Sequence, residues 1–396
     1  DHAKRSRINR HQTLDIRNKT LVSSLGFLES LSDVLHFGLQ RNTMKLGIIG
    51  LPQTGKTTLF NALTGHDQPI STSAGRMEVH TAVVDVPDPR VDALSAMYNP
   101  KKTVYAKVTY TDIAGLEGSG QGNISGPLLN QIAQMDGLIH VVRCFDDESV
   151  PHVSGSVDPS RDIAAMNSEL LLNDLIAVER KLERLAEERQ RGGTDKKVNA
   201  RHTELFERLL DILSEDKPLR EVEFTELEEK DLSGFGLLTR KPMLILLNLG
   251  ENQAPPTVET EHPIPVVDLM GKLEMEISQL SPEDAALFMD EYGIEEPGLN
   301  KMIRLSYDLL KLHSFFTIGE DEVRAWTIKK GATALEAAGT IHSDLEQGFI
   351  RAEVVSFEDL TTLGSMGEAR NNGKLRLEGK QYIVQDGEIV HIRFNI

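Results

Sequence analysis

Eight residues, Gly50-Leu51-Pro52-Gln53-Thr54-Gly55-Lys56-Thr57, match G-x-x-x-x-G-K-[ST] in full. Their flanks are what the physics of the motif requires. Lys45 to Ile49 (KLGII) reads as a short buried strand, and Thr58 to Leu63 (TLFNAL) starts a helix with apolar residues at helical spacing. Strand, glycine loop and helix together make a phosphate site. The loop residues Gly50, Pro52, Gln53, Thr54 and Gly55 form a cradle. Main-chain N–H groups of that loop and of the first turn, Thr57 and Thr58, converge on one spot, where the helix dipole adds positive potential. Lys56 is placed to reach outer phosphates and take the catalytic role, and the Thr57 hydroxyl is placed to ligate magnesium.

The rest of the 396 residues fit around that loop, with room for two or three domains. A net charge of -18 argues against a mainly electrostatic grip on nucleic acid and leaves a local basic patch open; no DNA partner is expected. One cysteine, Cys144, excludes an internal disulfide and suits a reducing compartment. No apolar run approaches membrane-spanning length, so no membrane partner and a cytoplasmic location are expected. Residues 1–43 differ in character, with seven Lys/Arg against four Asp/Glu. They read as an extra segment, non-native or disordered, ahead of a natural start at Met44.

Strand-like runs recur at Thr81 to Val86, Val104 to Tyr110, Leu138 to Val142 and Met243 to Leu247, several of them separated by helical stretches. That alternation implies an α/β fold with a mostly parallel sheet covered on both faces. Between Ser160 and Lys230 the pattern changes. Leu171, Leu175, Val178, Leu182 and Leu185 form a heptad-like stripe, Arg191 to Asp195 breaks it at two glycines, and Leu205, Leu209 and Ile212 form a second stripe. This predicts an inserted antiparallel helical hairpin. From Phe315 onward, strands at Val323 to Ile328, Phe349 to Val355, Lys374 to Leu377, Gln381 to Val384 and Val390 to Phe394 surround an alanine-rich helix at Ala334 to Ile341. They predict a small mixed sheet gripping one helix. The segments expected are therefore 1–43, a nucleotide domain in two parts (44–159 and 238–312), the hairpin 160–237 and the tail 313–396.

Two further motifs carry chemistry. Asp112-Ile113-Ala114-Gly115 is a D-x-x-G after a strand, in which the Asp holds magnesium through water and the Gly115 amide contacts the terminal phosphate. Gly118 to Gly122 behind it is suited to reordering. Asn248-Leu249-Gly250-Glu251 ends a strand where a guanine-selective protein carries N-K-x-D. Adenine lacks the paired donors that such an Asp accepts, so with Glu251 and Leu249 the usual reason for preferring GTP is missing.

With these residues in hand the chain resembles the YchF family of Obg-like ATPases, a branch of the P-loop GTPases. The matching runs are GLPQTGKTT, VPDPR, TDIAGL, HVVRCFDD, the N-x-x-E at Asn248 and the tail. AWTIKKG, AAGTIHSDLEQGFIRAEV and GKLRLEGKQYIVQDGEIVHIRFN resemble that family's C-terminal TGS domain, a β-grasp module. The resemblance spans Met44 to Ile396. It implies ATP binding and hydrolysis in preference to GTP, with magnesium, and association with ribosomes in translation or stress responses. It implies potassium as well, through an Asn at the fourth loop position, where this chain has Gln53. The family's Ser after the lysine is Thr57 here, its first-switch Thr falls at Arg76, and its base-side Ser-Ala pair is Met270-Gly271. Leu116 stands where classical switch GTPases place a water-orienting Gln, which predicts slow intrinsic turnover. Two rival readings are a GTP-preferring GTPase and a nucleotide-binding scaffold with negligible hydrolysis.

Overall fold

The computed structural model describes residues 44–64, 80–113, 124–192, 195–251, 253–260, 262–292 and 294–395. The expectations for residues 1–43, for Thr72 and Arg76, and for Gly115, Leu116 and Gly118 to Gly122 lie outside these residues. The chain alternates at first: β1 (Met44–Ile49), α1 (Lys56–Thr64), β2 (His80–Asp85), α2 (Pro89–Tyr98), β3 (Lys102–Val104), β4 (Lys107–Asp112), α3 (Gly126–Ala133) and β5 (Gly137–Arg143). Two long helices follow, α4 (Pro159–Arg191) and α5 (Lys196–Ser214), then α6 (Glu226–Leu232). The alternation resumes with β6 (Met243–Asn248), β7 (Val266–Leu269), α7 (Gly271–Ser278), α8 (Pro282–Glu291) and α9 (Gly298–Leu309). The tail contains β8 (Leu312–Thr317), β9 (Glu322–Lys329), α10 (Ala334–Ile341), α11 (Ser343–Gln347), β10 (Phe349–Ser356), α12 (Phe357–Leu363), α13 (Met366–Asn371), β11 (Arg376–Glu378) and β12 (Glu388–Phe394).

The nucleotide-domain sheet has the order β2-β4-β1-β5-β6-β7, and only its edge strand β2 runs antiparallel to its neighbour. β5 and β6 are buried along their whole length, which explains their apolar runs, broken in β5 by His140. Alternate residues of β1 and β5 serve opposite layers. Leu46, Ile48, Ile139 and Val141 pack with Leu59 and Phe60 of α1, while Ile49, Leu138 and Val142 pack with Ile163, Met166 and Leu170 of α4.

Asp158 caps α4 with Pro159 in its first turn, and Gly192 ends the helix at φ +73°. Leu171, Val178 and Leu185 are buried and Leu175 and Leu182 partly so, against Leu205, Phe206 and Leu209 of α5. The predicted stripe is hairpin packing.

The tail sheet has the order β11-β10-β12-β8-β9-β3. β3 comes from the nucleotide domain and pairs parallel with β9, Lys102 opposite Glu322 and Val104 opposite Arg324. The single strand expected from Val104 to Tyr110 is therefore two strands in two sheets, broken at Tyr105 and Ala106, where the Ala106 carbonyl accepts from the Val86 amide at 2.8 Å. Residue 312 marks a change of sheet and no break in packing. Phe316, Val323, Val355, Leu360 and Ile389 share a core with Ile48, Val91 and Leu94. Gln381 to Val384, expected as a strand, forms only an isolated bridge between Ile383 and Thr333, because its amides and carbonyls go to the turn at Gly379 and to the start of α10.

Candidate nucleotide site

The loop between β1 and α1 takes backbone conformations that explain its glycines. Gly50 sits at φ +156° with the Val141 carbonyl 2.5 Å from where a Cβ would lie, and Gly55 sits at φ +91° against the Asn248 amide. Gln53 takes φ +62° without being glycine, at the exposed crest of the loop. The Thr54 hydroxyl donates to the Leu51 carbonyl at 3.1 Å and stiffens the turn. Pro52 is half-buried in the loop, and Thr58 half-buried in the first turn of α1.

Lys56 is folded across this loop. Its Nζ donates to the carbonyls of Leu51 (2.7 Å) and Gly50 (3.2 Å), and only 7% of the residue is exposed. Burial pulls its pKa down to about 8, with the Asp112 charge acting the other way. Thr57 points its hydroxyl at Asp112 Oδ2, 3.0 Å away. Asp112 Oδ1 is buried with no hydrogen-bond partner among the described residues. Burial raises the Asp112 pKa against the opposing pull of the Thr57 hydrogen bond and the Lys56 charge. A hydroxyl and a carboxylate 3.0 Å apart, with one carboxylate oxygen unspent, are a donor set that fits a hard divalent cation. Thr81, considered from sequence for the same shell, instead meets the Thr111 hydroxyl at 3.3 Å across the β2–β4 pair.

On the base side, Asn248 is buried and both ends of its amide are engaged. Nδ2 donates to the Thr54 carbonyl at 3.0 Å, and Oδ1 accepts from the Gly271 amide at 3.0 Å. It ties the glycine loop to the start of α7. A Cβ at Gly271 would lie 2.8 Å from Asn248 Oδ1, so this approach needs a glycine. Glu251 is exposed and ion-paired with Lys272 at 3.2 Å, while Leu249 turns inward into the core.

Three residues join this region that sequence reasoning did not assign. Arg143 is buried, donates from Nε to the Phe145 carbonyl (3.0 Å), lies 4.5 Å from the Phe145 ring centre and reaches the Gln53 carbonyl at 3.5 Å. Gln253 accepts from the Gly250 amide (2.9 Å) and donates to the Cys144 carbonyl (2.7 Å). The signal for Arg143 and Phe145 was the run after β5. It carries no spacing rule that would reveal a brace behind a phosphate loop. Cys144 is buried, and burial with the nearby Asp162 charge pushes its pKa up to about 12, so it stays a thiol at neutral pH. His140 is buried with both ring nitrogens unpartnered among the described residues, and burial pulls its pKa down to about 3, which keeps it neutral.

The amide cradle, Lys56 and the Thr57–Asp112 pair can gather a triphosphate and a metal ion. The chain as a whole is similar to known proteins. A family model described as "50S ribosome-binding GTPase" matches residues 45–181. A YchF C-terminal model, described as "Protein of unknown function (DUF933)", matches residues 312–395. The "Ribosome-binding ATPase YchF" of Bacillus subtilis is 42% identical over 371 residues, covering 88% of this chain and 99% of the relative. The protein of that name from Haemophilus influenzae is 41% identical over 370 residues, covering 89% and 99%. Among solved structures, that of the Schizosaccharomyces pombe YchF GTPase is similar with a TM-score of 0.74 at 30% identity, covering 89% of this chain and 98% of that one.

Proposed function

The chain belongs to the YchF family, and from that premise we propose that it is a ribosome-associated switch ATPase that binds ATP in preference to GTP at the loop Gly50 to Thr57. The protein hydrolyses ATP and associates with ribosomes, as its relatives' names state of them. The observation that carries the site assignment is Lys56 held over the loop carbonyls beside the Thr57–Asp112 pair.

In this reading the Lys56 ammonium leaves the Gly50 and Leu51 carbonyls for the outer phosphates, where it offsets charge on the transferred phosphoryl group. Main-chain N–H groups between Gly50 and Thr58, among which Pro52 has none, orient the phosphate chain together with the Gly115 amide. Thr57 and Asp112 hold a divalent metal, which we take to be magnesium; when bound it supplies Lewis acidity on the phosphate oxygens. Asn248 holds the loop and the α7 start in register, and Glu251 faces the base edge. Gln53 offers an amide one methylene longer than the family's Asn at the potassium position. We read the tail as a TGS-type β-grasp module and the cytosol as the site of action; among the described residues no helix is long and apolar enough to cross a membrane.

A phosphate-release assay with and without purified ribosomes tests this. The expected result is slow turnover alone and faster turnover with ribosomes. Tight nucleotide binding with no turnover under either condition would favour a scaffold. The GTPase reading keeps two supports, the 50S ribosome-binding GTPase model that matches residues 45–181 and the likeness to the yeast YchF GTPase.

A further inference from the structure

We propose that a cavity at the end of the nucleotide-domain sheet opposite the phosphate loop binds a small organic oxyanion, a phosphomonoester or a carboxylate, with Arg220 as its anchor.

Position is the first observation. β1, β5, β6 and β7 run parallel, and the phosphate loop follows the carboxyl end of β1. The cavity opens at the amino ends instead, where Met135 and Asp136 lead into β5, Lys241 and Pro242 into β6, and Pro263 and Pro265 into β7. Arg220 and Phe224, from the segment that links α5 to α6, close another side. Among the described residues, none that lines the cavity belongs to α4 or α5. Its volume of about 630 Å³ lies within the range of small-molecule sites.

The second observation is the state of Arg220. Its Nη1 and Nη2 donate to the Thr239 carbonyl and to Asn167 Oδ1, both at 3.4 Å, and its Nε is buried with no hydrogen-bond partner among the described residues. No carboxylate pairs with it there either: the neighbouring Glu221 meets His262 at 2.9 Å. Burial pulls the Arg220 pKa down to about 10, against the Glu221 and Asp174 charges, so the guanidinium stays cationic at neutral pH at a cost. A buried charge without a partner is destabilising, and an anion seated against it supplies what the fold withholds.

Third, the other charges around the cavity are engaged. Arg240 pairs with Glu229, Lys241 donates to the Ala133 carbonyl at 2.8 Å, and Asp136 accepts from the Lys45 amide at 2.8 Å. That leaves Arg220 and the exposed Lys311, whose ammonium has no hydrogen bond or ion pair among the described residues. Two cations therefore line the space while every lining carboxylate has a partner, in a chain of net charge -18. Phe224, Ile264 and Leu309 supply apolar wall for the body of the molecule. Guanidinium and ammonium donors select carboxylate or phosphate oxygens.

Calorimetric titration of the full chain with phenyl phosphate, with benzoate and with the neutral benzamide tests this. One phenyl phosphate or one benzoate per chain is expected, the tighter of the two identifying the headgroup, and benzamide should not bind. Anion affinity should be unchanged in Lys56→Ala, fall at least about tenfold in Arg220→Met and fall roughly threefold in Lys311→Gln. Because Met removes an unpaired buried charge, the Arg220→Met midpoint in denaturant unfolding should hold or rise. A lowered midpoint would make Arg220 a structural residue and overturn the proposal. So would anion binding that Lys56→Ala abolishes, which belongs to the phosphate loop, affinity that both cavity variants leave unmoved, or no binding of either anion by the folded wild-type chain. Loss of ATP binding with the anion results intact would sink the nucleotide reading alone.

Discussion

Lys56 is a cation held where a cation is costly, and that makes the nucleotide site sensitive to pH. Its ordinary pKa of 10.5 falls to about 8 through burial. Between those values the folded, ligand-free chain binds fewer protons than the unfolded one. This group's contribution to stability therefore rises with pH from 8 towards 10.5, and the cost of burying the charge is present in full below 8. In the proposed reading the triphosphate is held by the ammonium, so binding takes a proton back above pH 8. Calorimetric titrations at pH 7.5 and 9.5 should show nucleotide affinity falling on the order of tenfold, with proton uptake on binding. A flat profile would mean that Lys56 does not face the phosphates. At the base edge, Glu251 pairs with Lys272 where a guanine-selective chain has Asp. Leu249→Lys with Glu251→Asp should move preference toward GTP by roughly tenfold, about 1.4 kcal/mol, in a competition assay. The candidate loop was legible because one short pattern encodes it together with its strand and helix. Arg143, Phe145 and Gln253 were not, since their roles arise from backbone carbonyls brought near only by the fold.

At the scale of elements, Asn248 joins two loops that the sheet alone would leave independent. Asn248→Ala leaves the Thr54 carbonyl and the Gly271 amide without this partner in a buried setting. A stability loss of about 1–3 kcal/mol is expected, read as a lower midpoint in denaturant unfolding, together with weaker nucleotide binding. An unchanged midpoint would show that water replaces the amide. The strands β1, β5 and β6 were readable as short, mainly apolar runs. The division of residues 102–112 between two sheets was not. A strand's period is the same whichever partner it pairs with, and the partner of β3 lies more than 200 residues away. β7 escaped notice because it has four residues, two of them exposed.

Across the whole molecule, the described residues join the nucleotide domain to the tail by apolar packing, by the β3–β9 pairing, by the Lys101–Asp321 ion pair (2.7 Å) and by a charge cluster at Arg90. Arg90, in the VPDPR run, donates to Asp88 and to Asp386 (2.9 Å) and lies 5.1 Å from the Phe316 ring centre. Asp386 in turn accepts from the Ser314 amide at 3.0 Å, and its pKa is held low by the Arg90 and Ser314 hydrogen bonds despite partial burial. Both partners keep solvent contact, so a double-mutant cycle of Arg90→Ala and Asp386→Asn should give a modest coupling of about 0.5–1.5 kcal/mol. A coupling near zero would leave apolar packing, the β3–β9 pairing and the Lys101–Asp321 pair to hold the tail. The central claim is that the cradle above α1 binds ATP with a divalent metal. Isothermal titration of the full chain with ATP and with GTP, in the presence of Mg²⁺, tests it most directly. The account predicts one ATP per chain, at least about tenfold tighter than GTP, and no binding heat in the Lys56→Ala variant. Absence of heat with either triphosphate on folded protein, or binding that survives the loss of Lys56 undiminished, would contradict it.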